Sequence, residues 1–181
     1  ASINADGVAL AVGAFGLFIR SEDGGKTWQQ LPANWDPLFA EAADLGPGFQ
    51  PQLYGVQIED DGTALVVGEF QTIVRSDDAG RTWKTASVGN VMSGDRPPTL
   101  FAVKLSKDHR AYAVGQSGVI MSSEDSGKTW CRLNSGTDTN LFDIASFENG
   151  DVIVSGMRRM LYAKAGEDNW NLVDGEDLST S

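Results

Sequence analysis

The sequence predicts an all-β fold of repeated four-stranded antiparallel meanders, and three observations carry that prediction. An octapeptide recurs as "SEDGGKTW" (21–28), "SDDAGRTW" (76–83) and "SEDSGKTW" (123–130). Fifteen residues before each closing tryptophan stands a glycine, Gly13, Gly68 or Gly115, ending a small apolar run: "ALAVG", "ALVVG" or "AYAVG". Glycine is abundant, 21 of 181 residues against a usual share of roughly 7%, which implies many turns between short strands.

Each unit resolves into four segments. The first alternates, as in "LYGVQI" (53–58), "LFAVKL" (100–105) and "LFDIAS" (141–146), and a polar turn follows it ("EDDG", "SKDHR", "ENG"). The second is the run that ends in glycine. The third is β-branched or aromatic ("LFIR", "TIVR", "VIMS"), and the octapeptide turns the chain into the fourth ("TWQQL", "TWKTA", "TWCRL"). Period-2 strands bounded by Asp-Gly and Asn-Gly turns read as antiparallel meanders. A fourth, decayed copy ends at Trp170, giving tryptophan spacings of 55, 47 and 40. Four-stranded units of this length are β-propeller blades, and a β-solenoid would have shorter coils. The expected blades are 1–33, 52–88, 99–135 and 140–174 of a single partial propeller, with an inter-blade insertion at 34–51. Ala1-Ser2-Ile3 aligns with Val56-Gln57-Ile58, so the first blade lacks most of its innermost strand. Together with the missing initiator Met and signal peptide, that alignment predicts a processed or truncated chain. The expected whole is a ring of about seven blades, or one completed by self-association.

Composition bounds function. A hydrophobic share of 41% marks a globular chain, and the formal charge of −11 with no basic stripe argues against nucleic acid as a partner. The single cysteine, Cys131, allows no internal disulfide, and no apolar run reaches the roughly 18 residues of a spanning helix. No metal-ligand spacing and no cofactor motif is recognisable. His109, in a polar turn, and Cys131, in an outer strand, read as non-catalytic.

The octapeptides read as architecture, because a single active site needs its residues once. Asp23, Asp78 or Asp125 caps backbone N–H groups across its own turn. Gly25, Gly80 or Gly127 supplies positive φ. Ser21, Ser76 or Ser123 opens the turn, and Trp28, Trp83 or Trp130 covers the edge of the blade core. A catalytic or Ca²⁺-binding role is the competing reading. Arg20 and Arg75, at the ends of third strands, are expected to make surface ion pairs near Glu22 and Asp77.

These octapeptides match Ser-x-Asp-x-Gly-x-Thr-Trp, the Asp box of BNR-type propellers. The longer repeats "AVGAFGLFIRSEDGGKTW" and "AVGQSGVIMSSEDSGKTW" resemble the photosystem II assembly/stability-factor family of such propellers. That resemblance implies a non-catalytic, exported or periplasmic scaffold that binds a protein client, such as a membrane protein or its exposed tail. BNR propellers also include sialidases, which use three arginines, a Tyr and a Glu. Their early Arg-Ile-Pro-type signature is absent, and Tyr54, Tyr112 and Tyr162 fall within predicted strands. A glycan-acting or glycan-binding propeller is the alternative function.

In a propeller, the turns from second to third strand share one face with the inter-blade connections. The expected partner-binding residues are therefore Phe15, Glu69, Phe70, Gln116, Arg158 and Arg159, joined by Trp35 from the insertion. Residues 36–44 are expected to form a short helix capped by Asp36, with Pro37 at its first position. Trp35 and Phe39 either meet a partner or pin their loop; Arg158 and Arg159 either meet an anionic partner or sit in a solvated turn.

Overall fold

The computed structural model describes residues 1–31, 50–88, 97–106 and 108–173. Its architecture is a β-propeller of four blades. The first consists of β1 (Ser2–Ile3), β2 (Ala9–Val12), β3 (Phe18–Ser21) and β4 (Gln29–Gln30), in that sheet order. The second holds β5 (Leu53–Ile58), β6 (Ala64–Gly68), β7 (Ile73–Ser76) and β8 (Lys84–Thr85). After β9 (Ser87–Val88) comes the third, β10 (Leu100–Leu105), β11 (Ala111–Gly115), β12 (Ile120–Ser123) and β13 (Thr129–Leu133). The fourth comprises β14 (Leu141–Ser146), β15 (Val152–Gly156), β16 (Arg159–Ala163) and β17 (Asn171–Leu172). Within every blade, successive strands pair antiparallel.

The repeat is preserved at single-residue register. Ser2 faces Leu10 and Ile3 faces Ala9 in blade one, as Gln57 faces Leu65 and Ile58 faces Ala64 in blade two. β9 is the exception to the meander. It leaves blade two and pairs parallel to β13, Ser87 against Thr129, as a fifth strand on the outer edge of blade three. A two-residue segment with no apolar alternation gives no sequence signal for that crossing. The expected helix at 36–44, Trp35 and Phe39 lie outside the described residues.

The core lies between blades. Leu65, Val67 and Ile73 of blade two meet Ala111, Ala113 and Met121 of blade three, with Trp130 closing that layer. Tyr112, Val114 and Ile120 of blade three pack against Val152, Val154 and Leu161 of blade four. Both faces of β6 and β11 are therefore buried, which is why these strands read as continuous apolar runs rather than as alternation. Each fully buried Leu or Ile here contributes roughly 1.5–3 kcal/mol.

Glycine at the end of the second strand answers a steric demand. A Cβ on Gly115 would lie 2.1 Å from the Thr99 carbonyl oxygen, and one on Gly68 would lie 2.3 Å from that of Gln52. The entering chain is tied there, Glu69 N–H donating to Gln52 O and Gln116 N–H to Thr99 O. Among the described residues, Gly13 has no such neighbour, its nearest contact being a Leu17 methyl at 3.6 Å.

Candidate functional site

The two ends of the blades differ in chemistry. At one end lie the three octapeptides, with hydrogen-bond networks that agree except that Arg81 N donates to the Asp78 carbonyl rather than to its carboxylate. Asp125 accepts from Ser123 Oγ (2.7 Å), Lys128 N (3.0 Å), Thr129 N (2.9 Å) and Thr129 Oγ1 (2.7 Å). Ser123 Oγ accepts in turn from Gly127 N, and the Trp130 indole N–H donates to Gly127 O. Asp23 and Asp78 repeat the pattern with Thr27 and Thr82. Gly25, Gly80 and Gly127 have φ of 84°, 80° and 84°. The Thr27 hydroxyl and amide hold Asp23 at a pKa of about 2. Burial works to raise Asp78 and Asp125, but the hydrogen bonds from Thr82 and Thr129 outweigh it and bring both to about 2. These carboxylates are ionised and spent on their own turns. Among the described residues, no three His, Cys, Asp or Glu side chains are placed to share a metal.

The fourth blade rebuilds its corner from another place. Asp151, from the preceding polar turn, accepts from the Tyr162 hydroxyl and from Ala165 N (2.9 Å). That bond to Tyr162 comes first among the causes lowering Asp151, and it raises the tyrosine. The Trp170 indole N–H is buried with no acceptor among the described residues, whereas in the other blades the indole donates to the backbone carbonyl of the glycine three residues before it.

Arg20 and Arg75 differ from expectation. Their ion pairs with Glu22 (2.5 Å) and Asp77 are present, yet the arginines themselves are buried. Arg20 Nε donates to Ala79 O and Arg75 Nε to Ser126 O, each in the octapeptide of the next blade (2.8 and 2.7 Å). They are inter-blade clamps rather than surface pairs. Sequence spacing could not show this, because the acceptor lies more than 50 residues away.

At the opposite end, four turns between second and third strands occupy equivalent places. Each puts a non-glycine residue in the left-handed region: Phe15, Phe70 and Ser117 at φ 54° and Arg158 at 57°. In the first three, both central residues have positive φ and the turn closes with Leu17 N to Ala14 O, Thr72 N to Glu69 O or Val119 N to Gln116 O. Glycine or asparagine fits such turns best. Phe15 is instead 74% exposed, and Phe70 is half-buried. The Glu69 carboxylate accepts from Gln52 N (3.1 Å), and Gln116 is exposed. Arg158 and Arg159 are exposed beside Met157, whose N–H donates to Asn140 O. These turns are stitched to the next blade's entry, Gly16 N to Pro51 O and Gln71 N to Pro98 O (both 2.8 Å).

The same end carries a feature that sequence reasoning missed. Pairing slips by one residue between Leu53 and Gly55, between Leu100 and Ala102, and between Leu141 and Asp143. The extra residues are Tyr54, Phe101 and Phe142, at the start of three adjacent innermost strands. Their rings form a continuous row, with centroids 5.6 Å apart for Tyr54–Phe101 and 5.7 Å for Phe101–Phe142. Tyr54 is 50% and Phe142 47% exposed. The available signal was the pair of apolar residues opening each strand ("LY", "LF", "LF"), which breaks alternation and requires one of the two to face outward.

A family model, photosynthesis system II assembly factor YCF48, matches residues 41–138, more than half of the chain. The chain belongs to the YCF48 family. Among solved structures, the fold is similar to YCF48 bound to D1 peptide, with a TM-score of 0.70, 18% identity, and coverage of 99% of this chain and 53% of that one. YCF48 from Cyanidioschyzon merolae gives 0.65, 22%, 94% and 54%. An ancestral GH74 enzyme gives 0.63, 14%, 92% and 25%. At these identities the likeness is one of fold, and the chain spans about half the length of the YCF48 structures it matches. No curated protein matches the sequence.

Proposed function

We propose that this YCF48-family propeller is a non-catalytic scaffold that holds a protein client, a segment of a membrane protein, on the face carrying the second-to-third-strand turns. The observation that carries this reading is the set of equivalent turns that place Phe15, Phe70, Ser117 and Arg158 at positive φ. A bulky or charged residue at such a position costs of order 1–2 kcal/mol against glycine, and strain of this kind clusters at binding sites. The D1 peptide carried by one YCF48 structure supports a peptide client for this fold. Arg158 and Arg159 supply the anion-binding corner of that face, and Phe15 supplies apolar area. A periplasmic or otherwise exported location goes with such a client.

The test is capture of detergent-solubilised membrane proteins by the tagged chain. Phe15→Ser together with Arg158→Glu and Arg159→Glu is expected to abolish capture while leaving the melting curve in place. Capture unchanged by these substitutions, or turnover of sialosides or other glycans, removes the proposal.

A further inference from the structure

We infer that blade four of this chain mates with blade one of a second copy, and blade four of that copy with blade one of the first, so that two copies close one ring. Mating follows one rule at the three junctions of the structure. The second and third strands of a blade turn side chains forward, and these receive the next blade's tryptophan and, at the first two junctions, the apolar residue that ends its first strand. Leu10 clusters with Ile58 and Ala64, and the Phe18 and Trp83 rings lie 4.8 Å apart. Leu65 and Ile73 cluster with Leu105 and Trp130, and the Tyr112 and Trp170 rings lie 5.8 Å apart. The back of blade one and the front of blade four hold the same positions uncovered. Ile3 pairs with Ala9 as Ile58 pairs with Ala64, yet it is 56% exposed against 4%. Met160 pairs with Ser155 as Ile120 pairs with Val114, yet it is 43% exposed against 0%. Trp28 is exposed where Trp130 is buried.

Charge names the occupant. Where blade three meets blade four, Arg110 pairs with Glu124 of its own blade (2.8 Å) and reaches Asp168 of the next (3.8 Å). The matching positions of blade four are Asp151, just before β15, and Lys164, just after β16. In blade one the residue at the place of Asp168, two before the tryptophan, is Lys26. Joining blade four to blade one of a second copy therefore rebuilds the trio with every sign reversed. Asp151 stands between Lys164 and Lys26 as Arg110 stands between Glu124 and Asp168. Two like charges again share one opposite charge, and complementarity of this kind fixes both partner and register. Closure agrees. The chain covers 53% and 54% of the two YCF48 structures, about half a ring, so two copies supply about one. Two sets of four blades reach the upper end of the roughly 4–8 that propellers hold. A head-to-tail contact gives a discrete assembly where its rotation closes, and half a ring per copy closes after two.

The test is the mass of the full chain by sedimentation equilibrium across a wide range of concentration. A species of twice 19.3 kDa is expected. Ile3→Asp and Met160→Asp alter side chains that are exposed in the single chain, so far-UV circular dichroism is expected to match wild type. Either carboxylate would be buried against apolar partners at both junctions of a homodimer, and each variant alone is expected to be monomeric. Mixed, the two variants retain one intact junction, the blade four of the Ile3 variant on the blade one of the Met160 variant, and are expected to regain a dimer. Lys26→Glu is expected to weaken pairing about threefold at each junction, in the range of an exposed ion pair. Tyr54→Ser, exposed in blade two away from both faces, is expected to leave the mass unchanged. A wild-type chain that stays monomeric, a dimer retained by either Asp variant alone, or no recovery on mixing overturns the inference. So does undiminished pairing by the Lys26 variant, or growth into larger open assemblies.

Discussion

Replacing Asp125 by Ala tests whether the octapeptides are fastenings of the fold. The carboxylate accepts four hydrogen bonds, two from backbone N–H groups and two from hydroxyls, at 2.7–3.0 Å. Hydrogen bonds to a charged group contribute about 1.5–3 kcal/mol each where buried. This carboxylate is only partly covered, and water can satisfy the Lys128 and Thr129 amides once it is gone. The discounted total is about 2 kcal/mol, or a fall of roughly 4–8 °C in Tm for a domain of this size. The pH dependence carries a sign. The folded pKa is about 2 against 3.8 for the ordinary group, so the unfolded chain binds the proton more tightly. The stabilisation is therefore complete above the unfolded value and is lost as pH falls from about 4 toward 2. Thermal melts of wild type and Asp125→Ala, recorded from pH 7 to pH 2.5, should converge at the acid end. A gap that stays constant across that range, or a variant that melts with wild type at pH 7, refutes the fastening argument. So does a gap that chelator abolishes, since it would place a metal on the carboxylate.

Other perturbations follow from the same geometry. Gly115→Ala puts a methyl against the Thr99 carbonyl and should cost about 3 kcal/mol, whereas Gly13→Ala at the equivalent position of blade one should be nearly neutral; equal denaturation midpoints for the two would remove the steric account. Arg75→Met strips the Ser126 carbonyl of its inter-blade donor and should lower stability by about 2 kcal/mol, seen as faster amide exchange around residues 125–127. Trp130→Ala should cost about 3–5 kcal/mol because the ring is 1% exposed, and Trp28→Ala far less because that ring is 40% exposed. Urea titration that ranks them in the reverse order would contradict the assignment of the core.

Sequence periodicity was enough for the blades because each strand's burial pattern is local. Gly68 and Gly115 end their strands where the chain entering their own blade's first strand presses in, and the octapeptide's Ser, Asp, Gly and Trp satisfy one another within eight residues. Local closure of that kind is legible without any fold. The decayed fourth corner shows the limit. Its carboxylate, Asp151, comes from the other side of the hairpin and meets Tyr162 only once β15 and β16 have paired. β9 was equally silent, since a two-residue strand is defined by its partner and not by its own pattern.

What the amino acids determined on their own was therefore the repeat, its strands and its corners, each stabilised by contacts a few residues apart. What tertiary structure decided was everything set by distance across blades. Arg20 and Arg75 are buried clamps because the next blade brings a carbonyl to them. Tyr54, Phe101 and Phe142 are one surface because three bulged strands stand side by side around the axis, a proximity that residues 47 and 41 positions apart cannot announce in sequence.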